Sequence, residues 1–350
     1  MSWDIITKIG YFDADVVSPE EIFMAAGFTP IRLLGDPSIE HDKVNEHVPA
    51  THCVWAKNIL EQALRGLNPE IKGVITSHGC DCTNREFDIW VESVDLDFLF
   101  YLNVPLKRDK LALKFFLKDL KELIYQIETK FKIKIQPENI KKAIKITNQI
   151  RTLLKEISEY RNKMILKGSE FHELVKLSQT NDKNYVLELL ERKLAKLKNK
   201  VPFTENKMKR ILLTGSVIDD TEFLKFLEDK GFQVVADDLC IGSRYFWNTI
   251  DEDKDPLIAI AEYHLNKPLY STKMPSYDRF EFLKKLTKKY KVDGIINIAM
   301  KFCEPMLYDH PYLNKNFKEL GIPYIFIEML YNREQYKQLS TRFEAFAEII

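Results

Sequence analysis

At 350 residues the chain exceeds what one ordinary core organises, so two or three domains are expected, and its 45% hydrophobic content is that of a soluble globular protein. No apolar run approaches the ~18 residues of a membrane span, no basic-then-apolar leader opens the chain, and five cysteines, an odd number, oppose a complete disulfide framework; a reducing cytoplasm is expected. The formal net charge is zero but uneven: residues 101–200 carry 24 Lys and Arg against 12 Asp and Glu, which reads as a solvated lysine-rich helical face and secondarily as a field for a phosphorylated ligand, with no nucleic-acid motif.

Lys8-Ile9-Gly10-Tyr11-Phe12 reads as a first strand. Ser18-Pro19-Glu20-Glu21 then predicts a helix start, with Ser18 as N-cap, Pro19 in the first turn and Glu21 closing a capping box; Gly27 supplies the left-handed stop. Thr29 to Gly35 is the next strand, followed by a polar loop, a helix from Trp55 to Leu64, and a strand around Gly73-Val74-Ile75-Thr76. A helix over Asn84–Trp90 and a strand over Leu96–Val104 complete an alternation that implies a parallel sheet with crossover helices. From Lys107 to about Asn199 apolar residues recur at three- and four-residue spacing with no strand signal, and Pro137 and Gly168-Ser169 divide this region into three or four helices. Lys198 to Pro202 reads as its exit linker.

The α/β rhythm then restarts. Arg210–Gly215 and Phe232–Ala236 are strands, separated by a helix capped at Asp219-Asp220-Thr221 and stopped by Gly231. A helix over Phe280–Tyr290, strands over Val292–Ala299 and Pro323–Glu328, and a closing helix from Glu334 to Ile350 follow. The expected fold class is α/β: two Rossmann-like parallel-sheet domains, residues 1–106 and 204–350, with a helical insert, residues 107–203, between them.

Chemistry concentrates at three remote cysteines. Cys80 and Cys303 each follow a strand, and Cys53 precedes a helix; in open α/β sheets ligands collect at strand carboxyl ends. Three thiolates gathered there would suit an iron–sulfur cluster with one iron left open. Zinc is the rival, because His78, Cys80 and Cys82 alternate and would share one side of an extended chain; the plainer alternative is that these are small residues filling a strand end. Cys240, after Asp237-Asp238-Leu239, is a further possible ligand or an inert buried thiol. Asp237 and Asp238 are expected to cap the turn there and contact Arg244. Glu304 beside Cys303 is an acid or base, or a turn cap. The turn Thr214-Gly215-Ser216-Val217 lacks G-x-G-x-x-G spacing and the chain has no G-x-x-x-x-G-K-[ST], so any ATP consumed must be bound by another protein.

Four stretches, Pro19 to Pro30, Asp237 to Phe246, Lys301 to Pro305 and Gln338 to Phe346, together with Cys80-Asp81, resemble the 2-hydroxyacyl-CoA dehydratase/benzoyl-CoA reductase family, in that family's order and over nearly the whole chain. The resemblance implies a [4Fe–4S] cluster held by Cys53, Cys80 and Cys303, with Cys82 and Cys240 as alternates. It draws attention to Ser18 as a catalytic residue, beside the Glu304 already noted from its position, and to Gln338 and Arg342 as substrate-binding residues; otherwise Ser18 is an N-cap, and Gln338 and Arg342 face solvent. It further implies an acyl-CoA substrate, a related second subunit or a second copy, and a separate ATP-hydrolysing iron–sulfur activator. That protein delivers an electron which makes a ketyl-type radical on the thioester. A non-catalytic electron-relay subunit is the alternative; the extra cysteines of double-cubane reductases are absent around Leu269-Tyr270-Ser271-Thr272.

Overall fold

The computed structural model describes residues 7–13, 15, 17–203, 208–273 and 275–350. The first part of the chain runs β1 (Lys8–Phe12), α1 (Glu20–Ala25), β2 (Thr29–Arg32), α2 (Val54–Leu64), β3 (Ile71–Ser77), α3 (Asp81–Ser93) and β4 (Phe98–Leu102). Four helices follow, α4 (Lys110–Phe131), α5 (Pro137–Asn162), α6 (Gly168–Thr180) and α7 (Lys183–Leu197). The chain then gives β5 (Lys209–Gly215), α8 (Thr221–Asp229), β6 (Phe232–Asp237), α9 (Pro256–Leu265), α10 (Ser276–Tyr290), β7 (Gly294–Met300), α11 (Glu304–Glu319), β8 (Tyr324–Met329) and α12 (Glu334–Ile349).

Two four-stranded parallel sheets result, ordered β2-β1-β3-β4 and β6-β5-β7-β8. The strands are near-continuous apolar runs because helices cover both faces of a parallel sheet; β7 is buried at every position. The two orders are equivalent. In each, the chain lays its first strand inside, turns to one side, then crosses to the other. The reversal falls between β1 and β3 in one sheet and between β5 and β7 in the other.

Helix α6 packs against both sheets, through β2 and β6, and α5 joins α1 to β6. Arg151 on α5 pairs with Glu21 of α1 at 2.6 Å, and Arg161 on the same helix pairs with Asp237 at the end of β6 at 2.7 Å, all four buried. A continuous apolar core runs from Phe12, Val74 and Trp90 through Ile150, Leu154 and Phe171 to Ile211, Leu213 and Ile298. Lys183 at the start of α7 is buried against Glu20, 2.8 Å away. The boundary expected at residue 204 lies in 204–207, outside the described residues.

Several local expectations are corrected. Pro19, not Ser18, is the N-cap of α1, and Glu21 makes no capping box because its carboxylate is taken by Arg151 and Thr147. Gly27 does stop that helix at φ +83°. Helices α9 and α11 carry no clear signal in the sequence. The first is apolar nearly all round and packs on α4, so it lacks the two-sided pattern of a surface helix. The second carries Pro305 in its first turn and Pro311 inside, both of which read as breaks.

Candidate functional site

At the carboxyl edges of both sheets one small pocket, about 30 Å³, is lined by Cys53, Cys80, Cys82 and Cys303. Trp55, Val217, Tyr270 and Met300 wall it with apolar surface, and Ser216, Ser271 and Thr272 bring hydroxyls. Its position follows from topology. Cys80 lies just past β3 and Cys303 just past β7, the strands that flank the reversal in each sheet. Such switch points are where parallel sheets leave a crevice.

Each of Cys53, Cys80 and Cys303 is also the N-cap residue of a helix, of α2, α3 and α11 respectively. The first N–H groups of an α-helix have no intrahelical acceptor and carry the positive end of its dipole. Three helix N-termini therefore converge on one pocket, a setting that suits an anionic group. Two links hold the segments together. The Val54 N–H donates to the Lys301 carbonyl at 3.3 Å, joining the Cys53 and Cys303 turns. Asp219, buried ahead of α8, accepts from Trp55 Nε1 and the Gly35 N–H, both at 2.8 Å, and from Tyr331 OH at 2.6 Å. Phe302, the residue before Cys303, is held at φ +67°, a left-handed conformation that costs a non-glycine residue roughly 1 kcal/mol or more.

The thiols interact in pairs. The Cys82 thiol against Cys80, together with the N–H and hydroxyl of Thr83, lowers the pKa of the Cys80 thiol to about 6 in spite of burial. The Cys82 thiol is raised by Cys80 and by burial, and accepts from the Cys53 N–H. Cys303 is raised by the neighbouring Cys53 and by burial. Beside them lies a buried pair, His52 and Glu86, 3.6 Å apart; burial pushes Glu86 up while Trp90 Nε1 donates to it at 3.1 Å.

Behind Tyr270 runs a buried ionic chain. Asp15 meets Arg244, and Lys273 at 3.2 Å; Arg244 reaches Asp238 at 3.0 Å; Arg279 joins Asp238 to Asp309, the latter at 2.8 Å. The Arg244 and Arg279 guanidiniums lie 4.7 and 5.2 Å from the Tyr270 ring centre, and Tyr270 OH donates to the Gly215 carbonyl at 2.6 Å. The loop that carries Ser271 and Thr272 is thus fixed from behind. A glycine is required at 215: its φ is +146°, and a Cβ there would collide with the Ile298 carbonyl.

The other residues singled out in the sequence lie elsewhere. Ser18 is buried but donates to Asp13 Oδ2 at 3.0 Å and does not line the pocket. Cys240 is fully buried outside it, its thiol pushed up by burial. Glu304 is exposed at the first position of α11, and Gln338 and Arg342 are exposed on α12, where Arg342 donates to the Phe326 carbonyl at 3.0 Å. His78 is not in the pocket either. The extended chain ends before Cys80 and a helix begins at Asp81, so the alternation that would align His78 with Cys80 and Cys82 is lost. The expected contact of Asp238 with Arg244 is present, and Asp237 accepts from the Ser243 N–H at 2.6 Å. Ser216, Tyr270, Ser271 and Thr272 were missed, since isolated hydroxyls in loops carry no signature of their own.

Among the described residues no three His, Cys, Asp or Glu side chains surround a single metal ion. An iron–sulfur cluster differs in spreading its thiolates over separate irons, and the donor chemistry of the pocket suits one: soft sulfur ligands, helix N-termini, and two buried hydroxyls, Ser271 Oγ and Thr272 Oγ1, without a hydrogen-bond partner.

Fold and pocket together define an α/β protein in which two parallel sheets share one sulfur-lined crevice. Residues 15–350 match the family model described as 2-hydroxyglutaryl-CoA dehydratase, D-component, and the chain belongs to that family. It is 30% identical to the (R)-phenyllactyl-CoA dehydratase beta subunit of Clostridium sporogenes, over 95% of this chain and 89% of that one. It is 24% identical to the lactoyl-CoA dehydratase beta subunit of Anaerotignum propionicum, over 96% and 90%, and 22% identical to one of the benzoyl-CoA reductase subunits of Thauera aromatica, over 96% and 89%. The resemblance expected from the motifs holds, and the chain is an enzyme subunit of this dehydratase or reductase type. Among the described residues no helix is long and apolar enough to cross a membrane.

Proposed function

We propose that the chain is the iron–sulfur subunit of an enzyme that dehydrates or reduces an acyl-CoA thioester by single-electron chemistry. Cys53, Cys80 and Cys303 would hold one [4Fe–4S] cluster, which when bound supplies one-electron transfer and a Lewis-acidic iron. The observation that carries the proposal is the meeting of these thiols, remote in sequence, at three helix N-termini in one pocket. Thr83 hydrogen-bonds the Cys80 sulfur, and Trp55, Tyr270 and Met300 exclude water. On this reading residues 1–106 and 204–350 are Rossmann-like domains bordering the crevice, with 107–203 as the helical insert. A related second subunit or second copy completes the enzyme, and an ATP-hydrolysing iron–sulfur activator in the cytoplasm supplies the electron.

One observation favours the second reading, an electron relay that never touches substrate. Among the described residues the pocket of about 30 Å³ is walled by side chains, and Ser18 does not line it. Iron analysis of anaerobically prepared variants tests the ligand set. Cys53→Ser, Cys80→Ser and Cys303→Ser are each expected to lose most of the iron, while Cys240→Ser keeps it. Retention of full iron in any of the first three contradicts the assignment.

A further inference from the structure

Two buried hydroxyls in the crevice serve no contact of the fold. Ser271 Oγ and Thr272 Oγ1 line the pocket together with Cys53, Cys80 and Cys303, and among the described residues neither has a hydrogen-bond partner. Buried polar groups are nearly always paired, so two orphans on adjacent residues point to an acceptor that enters the pocket. The third hydroxyl there is different. Ser216 accepts from the Met300 N–H at 2.7 Å and lies 3.5 Å from the Ile298 carbonyl, so it ties β5 to β7. The loop that carries the two orphans is clamped on both sides. Arg244 donates to the Pro268 carbonyl at 2.8 Å, and Tyr270 OH to the Gly215 carbonyl at 2.6 Å. Beyond the hydroxyls, the Lys273 N–H donates to the Tyr270 carbonyl at 2.9 Å, and the Lys273 ammonium pairs with Asp15 at 3.2 Å. Ser271 and Thr272 are thus held in place between anchored neighbours. Trp55, Val217 and Met300 make the surrounding wall apolar, where a hydrogen bond is electrostatically stronger than in water.

We propose that Ser271 and Thr272 donate hydrogen bonds to sulfur of the bound centre and thereby set its reduction potential. The proposal rests on the cluster reading above and deepens it. The two residues are positioning residues: they bind no iron, and the three cysteines remain the ligands. Reduction adds one electron, and part of its charge comes to rest on sulfur. An O–H donor therefore stabilises the reduced form more than the oxidised one, which raises the potential. No bond breaks and no proton leaves the hydroxyl. Because the loop is fixed by Arg244, Tyr270 and Lys273, the donors need little reorganisation to meet their acceptor.

The test compares wild type with Ser271→Ala and Thr272→Val, which each remove one donor, and with Thr272→Ser, which keeps it. All are prepared anaerobically and measured by iron content and by a redox titration followed by electron paramagnetic resonance. The iron content of the variants is expected to equal that of wild type. Each donor deletion is expected to shift the ratio of reduced to oxidised centre at a fixed potential about tenfold, a midpoint lower by about 59 mV for one electron. Thr272→Ser is expected to titrate with wild type. Iron-loaded Ser271→Ala and Thr272→Val that both keep the wild-type midpoint overturn the proposal and leave the cluster in place. Wild type without iron overturns the cluster reading itself, and this proposal with it. Should Thr272→Val fail to load iron, Thr272→Ser decides. Iron and midpoint at wild-type values support the hydroxyl as the group that meets the centre, whereas the same loss of iron means that side-chain shape matters and overturns the proposal.

Discussion

Replacing Arg279 with methionine should be among the most damaging single changes in the protein outside the apolar core. Arg279 is fully buried, joins Asp238 to Asp309, donates to Thr214 Oγ1 at 2.9 Å, and lies over Tyr270, which lines the thiol pocket. The two carboxylates are not equally exposed to its loss. Asp238 keeps Arg244 at 3.0 Å, whereas Asp309 has Arg279 as its one hydrogen-bond partner among the described residues. Breaking a buried pair from one side costs about 3–5 kcal/mol, and most of it here is the charge stranded on Asp309. The double variant Arg279→Met/Asp309→Leu removes that charge and should recover about 1–3 kcal/mol relative to the sum of the single changes. Burial already raises the Asp309 carboxyl against the pull of Arg279. A raised carboxyl binds protons in the folded state first, so stability falls as pH rises through its folded value. The deficit of Arg279→Met should therefore shrink as pH is lowered. Urea unfolding at two pH values measures both quantities. A single-variant cost below about 1 kcal/mol, or a cycle additive within about 0.5 kcal/mol, would refute the reasoning.

Other outcomes are expected. Asp219→Ala leaves the Trp55 indole, the Gly35 N–H and the Tyr331 hydroxyl without their shared acceptor and should cost about 3 kcal/mol or more in urea unfolding; a loss below about 1 kcal/mol would mean that water replaces the carboxylate. His264, buried with both ring nitrogens unpartnered, has its pKa depressed well below 6.5 by burial and by Lys267 and Arg151. The neutral ring contributes stability that is full above about 6.5 and is lost as pH falls below it, because the unfolded chain takes up the proton. His264→Leu should flatten the acid limb of the stability profile, and an unchanged limb counts against this assignment. Iron content should fall further in Cys303→Ser than in Cys82→Ser, since Cys303 is one of the three proposed ligands and Cys82 is not; equal loss would mean that the second ligand has been misassigned.

Most of the fold was legible because parallel strands and crossover helices leave strong periodicities. The runs Lys8–Phe12, Phe232–Ala236 and Gly294–Ala299 can only be buried strands, and Gly27 and Gly231, both at φ +83°, mark helix stops without ambiguity. Helices α9 and α11 were hidden by uniform burial and by proline, respectively. Within the site the cysteines announced themselves by chemistry, but their role as N-caps did not, since cysteine is not a usual capping residue and the neighbouring signals at 80–83 resembled an extended segment. Ser18 illustrates the opposite error. Its sequence context is that of a cap, yet Asp13 takes its hydroxyl and Pro19 the capping position. The ionic chain from Asp15 to Asp309 spans nearly the whole chain in sequence, and nothing local indicates that its members meet.

The most direct test of a sulfur-bound redox centre is iron and acid-labile sulfide analysis of the wild-type protein, purified without exposure to oxygen. About four irons and an equal amount of sulfide per chain are predicted. A colourless chain that holds zinc, or no metal at all, would contradict the account.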